Sequence, residues 1–394
     1  MSHYKPYPAY RDSGVKWIGQ VPEHWKKMPF KRVASICNGH DYKEVENADG
    51  AYPVIGSGGE FARASDFMFD GESVLLGRKG TIDKPLYING PFWAVDTMFY
   101  TKIADNAFPK FVYYNALTIP FGLYSTNTAL PSMAGEDLSS HLIVAPDFEE
   151  QKAIATCVDR ETTRIDVLIT KKTRFIELLK EKRQALITHA VTKGLDPNVA
   201  MKDSGVEWIG VVPAHWSVAI LKRFVVFQRG HDLPSDTRVE GTVPVVSSGG
   251  YSGTHNVAIA KAPGIVTGRY GSLGEFTFVE EDYWPLNTAL YSIELHNNDH
   301  RFVWYLLQNI SDLFLLYSAK AAVPGIDRND IHEIYVAAPQ HDEQRQIAKY
   351  LDEQCDRINA ITEKTQRSID LLKERRAAFI TAAVTGQIDL RESA

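Results

Sequence analysis

The chain has 394 residues, 44% hydrophobic and 23% charged, which is ordinary for a folded globular protein and excludes a disordered or low-complexity chain. A net charge of −6 and a sequence pI near 6.1 exclude a protein basic throughout, but a local positive face is all that phosphate contact needs. Apolar runs such as 334–338 fall far short of the roughly 18 residues that span a bilayer, no signal-peptide core opens the chain, and Cys37, Cys157 and Cys355 form no C-x-x-C pair. The expectation is a cytoplasmic protein with buried free thiols and no zinc site.

Residues 1–11 are rich in Tyr and Pro and read as an extended arm. From Asp12 the run D-S-G-V-x-W-I-G leads through Val21-Pro22 to His24-Trp25, and the same run returns from Asp203 through Val212-Pro213 to His215-Trp216, an offset of 191. Lys31-Arg32 and Lys222-Arg223 keep that offset, as do Gly39-His40-Asp41 and Gly230-His231-Asp232, and Ser57-Gly58-Gly59 and Ser248-Gly249-Gly250. It continues through Gly77-Arg78-Lys79-Gly80 and Gly268-Arg269-Tyr270-Gly271, then 93–97 and 284–288; after Pro146 and Pro339 it becomes 193. The chain is an internal duplication with a period far too long for a solenoid repeat.

Within each copy, 74–76 and 264–267 have the composition of strands, and 111–117 and 302–310 that of short helices. Residues 12–146 and 203–339 are therefore expected to form two similar compact α+β domains. The copies diverge most at 42–52, 66–72 and 121–134, as one scaffold carrying two different readouts would.

Each domain runs into a long amphipathic segment. Ile154, Val158, Ile165, Leu168, Phe175, Leu179 and Leu186 fall on one helical stripe, and Ile347, Leu351, Ile358, Ile361, Leu372 and Phe379 on a second. Asp147 with Glu150 three residues on reads as a capping box, and Lys193-Gly194 as a basic last turn with its stop. About 42 helical residues make a rod of about 60 Å, which needs a partner, and each segment supplies the other's. Glu161, Lys172, Lys182, Gln354, Thr365, Ser368 and Arg375 fall at core-type positions; they either fix the register of a polar middle or face solvent where the supercoil loosens. The 11 or so residues between Thr192 and Asp203 reach only about 40 Å, too little to return for a parallel pair. The expected fold is thus α+β, with two similar globular domains separated by two long helices in an antiparallel coiled coil with an internal pseudo-twofold. The expected division is an arm at 1–11, a domain at 12–146, a helix at 147–193 and a linker at 194–202, followed by a domain at 203–339, a helix at 340–386 and a tail at 387–394.

No catalytic signature is present. There is no G-x-x-x-x-G-K-[ST] loop, G-x-S-x-G elbow or H-E-x-x-H pair, nor the Asn/Asp-Pro-Pro-aromatic motif that holds a flipped base. His24 and His215, between Pro and Trp, read as structural. The binding signal lies in the glycine-flanked turns, which present Arg78 and Lys79 in one copy and Arg269 and Tyr270 in the other. Glycines admit close backbone approach, and an Arg fork pairs with guanine or clamps a phosphate. Lys31, Arg32, Lys222, Arg223 and Arg229 are candidate phosphate contacts, and Ser57, Ser248, Thr97 and Thr288 candidate polar contacts. Asn287, Lys320, His255 and Asn127 are further candidates. Singly, each is also what a solvated surface residue looks like.

These doubled D-S-G-V-x-W-I-G-x-V-P-x-H-W runs, the G-R-x-G turns, the Pro followed by E-x-Q before a long helix, and the Leu-Leu-Lys-Glu at 178–181 echoed at 371–374 resemble the specificity subunit of type I restriction-modification systems, over almost the whole chain and twice. The resemblance implies two target-recognition domains, each reading half of a split asymmetric site in double-stranded DNA, and helices that act as ruler and dock. It also implies two methyltransferase subunits bringing S-adenosylmethionine and adenine-N6 chemistry, and motor and nuclease subunits using ATP and Mg, with no cofactor, metal or catalysis in this chain. Two rivals are an enzyme, which would bind its own cofactor, and a protein-only coiled-coil scaffold, which would show no salt-dependent DNA affinity.

Overall fold

The computed structural model describes residues 4–126, 131–319 and 325–391. The chain divides into two compact units, Met1–Lys172 with Arg367–Ala394, and Thr173–Gln366.

The first unit opens with an antiparallel hairpin, Tyr10–Asp12 against Gln20–Pro22, closed by the D-S-G-V run. Asp12 Oδ1 accepts from the Gly14 N–H at 2.8 Å, Ser13 Oγ from the Val15 N–H at 3.1 Å, and Gly14 and Gly19 sit at φ +67° and +73°. The run is therefore a turn signature: short oxygen side chains tie down backbone donors while glycine takes the left-handed conformation. In the second unit Asp203, Ser204, Gly205 and Gly210 repeat it below the hairpin Met201–Asp203 and Val211–Pro213.

Four strands make the main sheet of the first unit: β1 (Ala34–Asn38), β2 (Glu72–Gly77), β3 (Leu86–Asn89) and β4 (Met98–Ile103), antiparallel in the order β1-β4-β2-β3. Five of the six residues of β2 are buried, and α1 (Pro109–Ala116) adds Val112 and Ala116 to a core that holds Val74, Leu76 and Phe99. A smaller sheet pairs Tyr52–Gly56 with Gly59–Ala64 and Trp93–Ala94, and the strands Lys26–Pro29 and Leu142–Ala145 pair to bring the domain's start beside its exit into α2 (Phe148–Lys193). The second unit has the same plan: β5 (Val226–Arg229), β6 (Gly264–Gly268), β7 (Phe276–Val279) and β8 (Ala289–Glu294) in the order β5-β8-β6-β7, then α3 (His300–Asn309) and α4 (His341–Val384).

Each domain is pinned to its long helix at two places. At the helix start, Glu150 Oε1 accepts from Tyr7 Oη at 2.8 Å and Trp25 Nε1 at 3.0 Å, and Oε2 lies 2.8 Å from His24 Nε2. The capping box is thus half formed: Asp147 accepts from the Glu150 N–H at 3.0 Å, while the Glu150 carboxylate turns to the domain. Gln151 accepts from the Phe108 N–H and donates to the carbonyl of Pro146. About two and a half turns further on, Asp159 takes Lys110 and Tyr114 of α1. The second unit repeats this with Glu343 on His215 and Trp216, Gln344 on Asp299, Asn298 and Pro339, and Asp352 on Arg301 and Tyr305.

The helices pair antiparallel within each unit. Ile154, Ala155 and Val158 of α2 share a core with Phe379, Ile380 and Val384 of α4 in the first unit, and Ile187, Ala190 and Val191 with Ile347, Ala348 and Leu351 in the second. Arg376 bonds Asp166 at 2.9 Å. The buried or half-buried positions step alternately by four and three: Val158, Thr162, Ile165, Ile169, Lys172, Ile176, Leu179, Arg183, Leu186 and Ala190 on α2. On α4 they run Leu351, Cys355, Ile358, Thr362, Thr365, Ile369, Leu372, Arg376, Phe379 and Ala383.

This corrects the stripe read from the sequence at three positions. Leu168, Phe175 and Ile361 are 47%, 45% and 43% exposed, and the seam takes the next residue in each case. On α2 an apolar residue stands at both candidate places, Leu168-Ile169 and Phe175-Ile176, so composition does not choose the phase. On α4 the phase set by Ile358, Thr365 and Ile369 puts Thr362 inside and Ile361 outside. Of the seven polar residues expected at core-type positions, Lys172 and Thr365 lie on this series, Glu161, Gln354 and Ser368 are half-buried beside it, and Lys182 and Arg375 are exposed. Cys157 and Cys355 are buried, and Cys37 only partly so. No helix among the described residues is long and apolar enough to cross a membrane.

Candidate nucleic-acid interface

Gly77-Arg78-Lys79-Gly80 leaves the end of β2, and glycine is required at its start: a Cβ on Gly77 would lie 2.3 Å from the Thr81 carbonyl oxygen, and Gly80 has φ +83°. The Thr97 carbonyl accepts from the N–H groups of Arg78 at 2.8 Å and Lys79 at 3.1 Å, and the Arg78 carbonyl accepts from the Met133 N–H at 3.0 Å. The turn is thereby held against β4. Arg78 is half-buried, its guanidinium 5.8 Å from the Phe99 ring, and Lys79 is exposed.

The second unit builds the same turn. A Cβ on Gly268 would lie 2.2 Å from the Ser272 carbonyl oxygen and 3.3 Å from Ser248 Cβ, so Ser248 abuts the turn. The Thr288 carbonyl accepts from the Arg269 N–H at 2.9 Å, and that of Arg269 from the Ile326 N–H at 3.0 Å. The Arg269 guanidinium lies 4.8 Å over the ring of Tyr270, a cation–π pair.

The candidates thus fall into two groups. The structure brings together Arg78, Lys79 and Thr97 in one unit and Arg269, Tyr270, Ser248 and Thr288 in the other. Arg229, at the end of β5, joins Arg269 and Tyr270 on the wall of an open cleft of 870 Å³. Asn287 donates to Asp232, which lines that cleft. Lys31-Arg32 and Lys222-Arg223 are exposed in short 3-10 turns just ahead of β1 and β5. Ser57 is half-buried at the tip of the small hairpin. His255 Nδ1 accepts from the Val239 N–H at 3.1 Å, a structural bond. Lys320 and Asn127 lie outside the described residues.

The cleft also holds residues that motif reading missed, namely Gln228, Arg328 and Asn329. Arg328 and Asn329 open a short helix capped by Asp327, whose carboxylate accepts from the Asn329 N–H at 2.8 Å. The matching helix of the first unit, Gly135–Ser140, carries Glu136 and Asp137 in its first turn instead. Aligned on their N-caps, Ala134 and Asp327, the two helices keep an acid at Asp137 and Asp330, while Gly135 and Glu136 of the first give way to Arg328 and Asn329 in the second.

Each unit also buries a histidine, at places that do not correspond: the His141 carbonyl accepts from the Phe30 N–H, a role that Ile334, two residues beyond His332, fills in the second unit. His332 Nε2 accepts from the Phe227 N–H at 2.9 Å, and burial, followed by the charges of Lys222 and Arg328, holds it below its ordinary range. His141 Nδ1 lies 2.7 Å from Tyr124 Oη, its ring stacks on Trp17 at 4.8 Å, and burial lowers its pKa to about 4.

A family profile described as the type I restriction modification DNA specificity domain matches residues 22–177 and again 214–371. The chain is 20% identical to the type I restriction enzyme EcoBI specificity subunit of Escherichia coli, over 96% of this chain and 89% of that one. Among solved structures, its fold is similar to that of a chain from a type I restriction-modification system (13% identity, 93% of this chain and 99% of that one, TM-score 0.71). It is also similar to the HsdS subunit of Thermoanaerobacter tengcongensis (14% identity, 96% and 100%, TM-score 0.52). With two copies of the domain accounting for most of its length, the chain belongs to the type I restriction-modification DNA specificity family.

Proposed function

We propose that this chain is the non-catalytic DNA-reading subunit of a cytoplasmic type I restriction-modification complex. The domains at 12–146 and 203–339 each read one half of a bipartite, asymmetric site. The observation that carries this is the pair of G-R-x-G turns, whose arginines make matching backbone bonds to Thr97 and Met133 in one unit and to Thr288 and Ile326 in the other, but which present Lys79 in one and Tyr270 in the other. Alike scaffolds with unlike side chains suit unlike half-sites. The arginines are the base readers, while Lys31, Arg32, Lys222 and Arg223 contact phosphates.

The helices set the spacer between half-sites and dock two methyltransferase subunits, which bring S-adenosylmethionine; motor and nuclease subunits using ATP and Mg join through them. Exposed apolar residues on the long helices favour the docking role: Leu168 and Leu371 in the first unit, Phe175, Leu178 and Ile361 in the second. The test is to co-express the chain with its methyltransferase subunit and map adenine methylation across a plasmid library. One split motif with a fixed spacer is the expected result. A complex that methylates without sequence preference favours the scaffold reading, and methylation by the chain alone overturns the assignment.

A further inference from the structure

We propose that the second unit carries an open pocket for a tyrosine-bearing segment of a partner protein, at the place that Tyr7 of the chain's own arm fills in the first unit. In the first unit three groups satisfy the Glu150 carboxylate: Trp25, His24 and the Tyr7 phenol. Tyr7 is 3% exposed, with its ring edge-on to Trp25 at 5.9 Å and the Arg391 guanidinium 5.0 Å over its face. Ile388, from the tail, is 6% exposed in the same core.

The second unit has two of the three groups. Glu343 Oε1 accepts from Trp216 Nε1 at 3.1 Å and Oε2 lies 2.7 Å from His215 Nε2, but no phenol meets Glu343 among the described residues. The Glu343 side chain is 31% exposed, against 8% for Glu150. Beside it opens a pocket of 320 Å³ whose walls include Glu343, His215, Ile347, Leu195 and Val199. Leu195 stands where Ile388 stands in the first copy and is 41% exposed. Chain connectivity explains the difference: the arm and the tail both converge on Glu150, whereas the single linker 194–202 serves Glu343.

The chemistry selects the occupant. Leu195 and Val199 give an accessible apolar wall, and the partly exposed Glu343 carboxylate offers a charged acceptor. An aromatic ring with a hydroxyl at its tip satisfies both, as Tyr7 does. In the second unit the linker runs where the arm runs, the Ala200 carbonyl accepting from the Ala214 N–H as Ala9 does from Glu23. It puts Asn198 in place of Tyr7, so what a partner adds is the tyrosine ring and not the strand. The pocket shares no lining residue with the cleft that holds the G-R-x-G turn of its unit, so the proposal stands independently of the DNA-reading assignment.

The full-length chain is titrated by calorimetry with a synthetic peptide of the arm's sequence, residues 4–10. One saturable site is expected, weakened about tenfold when phenylalanine replaces the tyrosine corresponding to Tyr7. Glu343→Gln is expected to weaken binding by a similar factor. So is Leu195→Asp, a change at an exposed position that leaves the fold intact. Absence of saturable binding overturns the proposal. Binding that survives both Glu343→Gln and Leu195→Asp also overturns it, since it reports exchange with the arm in the first unit, as does equal affinity for a peptide with lysine in the tyrosine's place.

Discussion

Arg78 and Arg269 owe their positions to glycines that admit no side chain and to threonine carbonyls that hold the turn backbone. Those backbone bonds do not pass through either guanidinium, although that of Arg78 also donates to the Asp96 carbonyl at 3.3 Å, so Arg269→Ala is expected to cut affinity about tenfold or more and relax discrimination in one half-site only, with Arg78→Ala doing the same in the other. Methylation mapping of each variant checks this. Both arginines were legible as a motif. Arg328 was not, because it reaches the Arg269 cleft from nearly sixty residues along the chain. The buried histidines add a pH dependence. Their folded pKa values lie below the unfolded value of about 6.5, so at lower pH the unfolded chain binds more protons. Stability is complete above about pH 6.5 and falls as pH drops toward 4, and melting curves should show Tm declining over that window. His141→Phe is expected to flatten the decline.

At the scale of the helix, the sequence showed length, amphipathicity and pairing direction but not the phase of the seam. The ends were fixed by Asp147 and Gly194, and the pairing direction by the reach of the linker. Phase failed because adjacent apolar pairs such as Phe175-Ile176 define two stripes about 100° apart, and only packing decides which one faces the partner helix. The two stripes separate experimentally. Ile176→Asp places a carboxylate in the seam and is expected to lower stability by about 2 kcal/mol, whereas Phe175→Asp on the exposed stripe changes it by about 0.5 kcal/mol or less. Denaturant midpoints compare them directly. Phe175→Asp should instead weaken co-purification with the methyltransferase subunit.

For the whole molecule, duplication was the most legible feature, since the 191-residue offset is written in turn motifs that each copy needs separately. If the helices are a ruler, inserting about one helical turn near Lys172 changes the spacer and leaves both half-sites as they were. Methylation at an unaltered spacer would remove the ruler from the account. A net charge of −6 puts the burden of DNA attraction on local arginines and lysines, so affinity of the assembled complex should fall by about a hundredfold or more between about 50 and 200 mM salt. A protein-only scaffold shows no such slope. The double pinning of each domain has a further consequence. One domain meets its helix through Glu150, Gln151 and Asp159, the other through Glu343, Gln344 and Asp352, and the residues that grip them are alike: His-Trp at one end, a cation and a tyrosine one helical turn apart at the other. Two sockets of one gauge make the pieces seated in them interchangeable. Recombination that exchanges residues 26–145 at both ends for their equivalents from another chain keeps every socket residue on the helix side, so on the proposed reading one such replacement changes a half-site without rebuilding the frame that holds it.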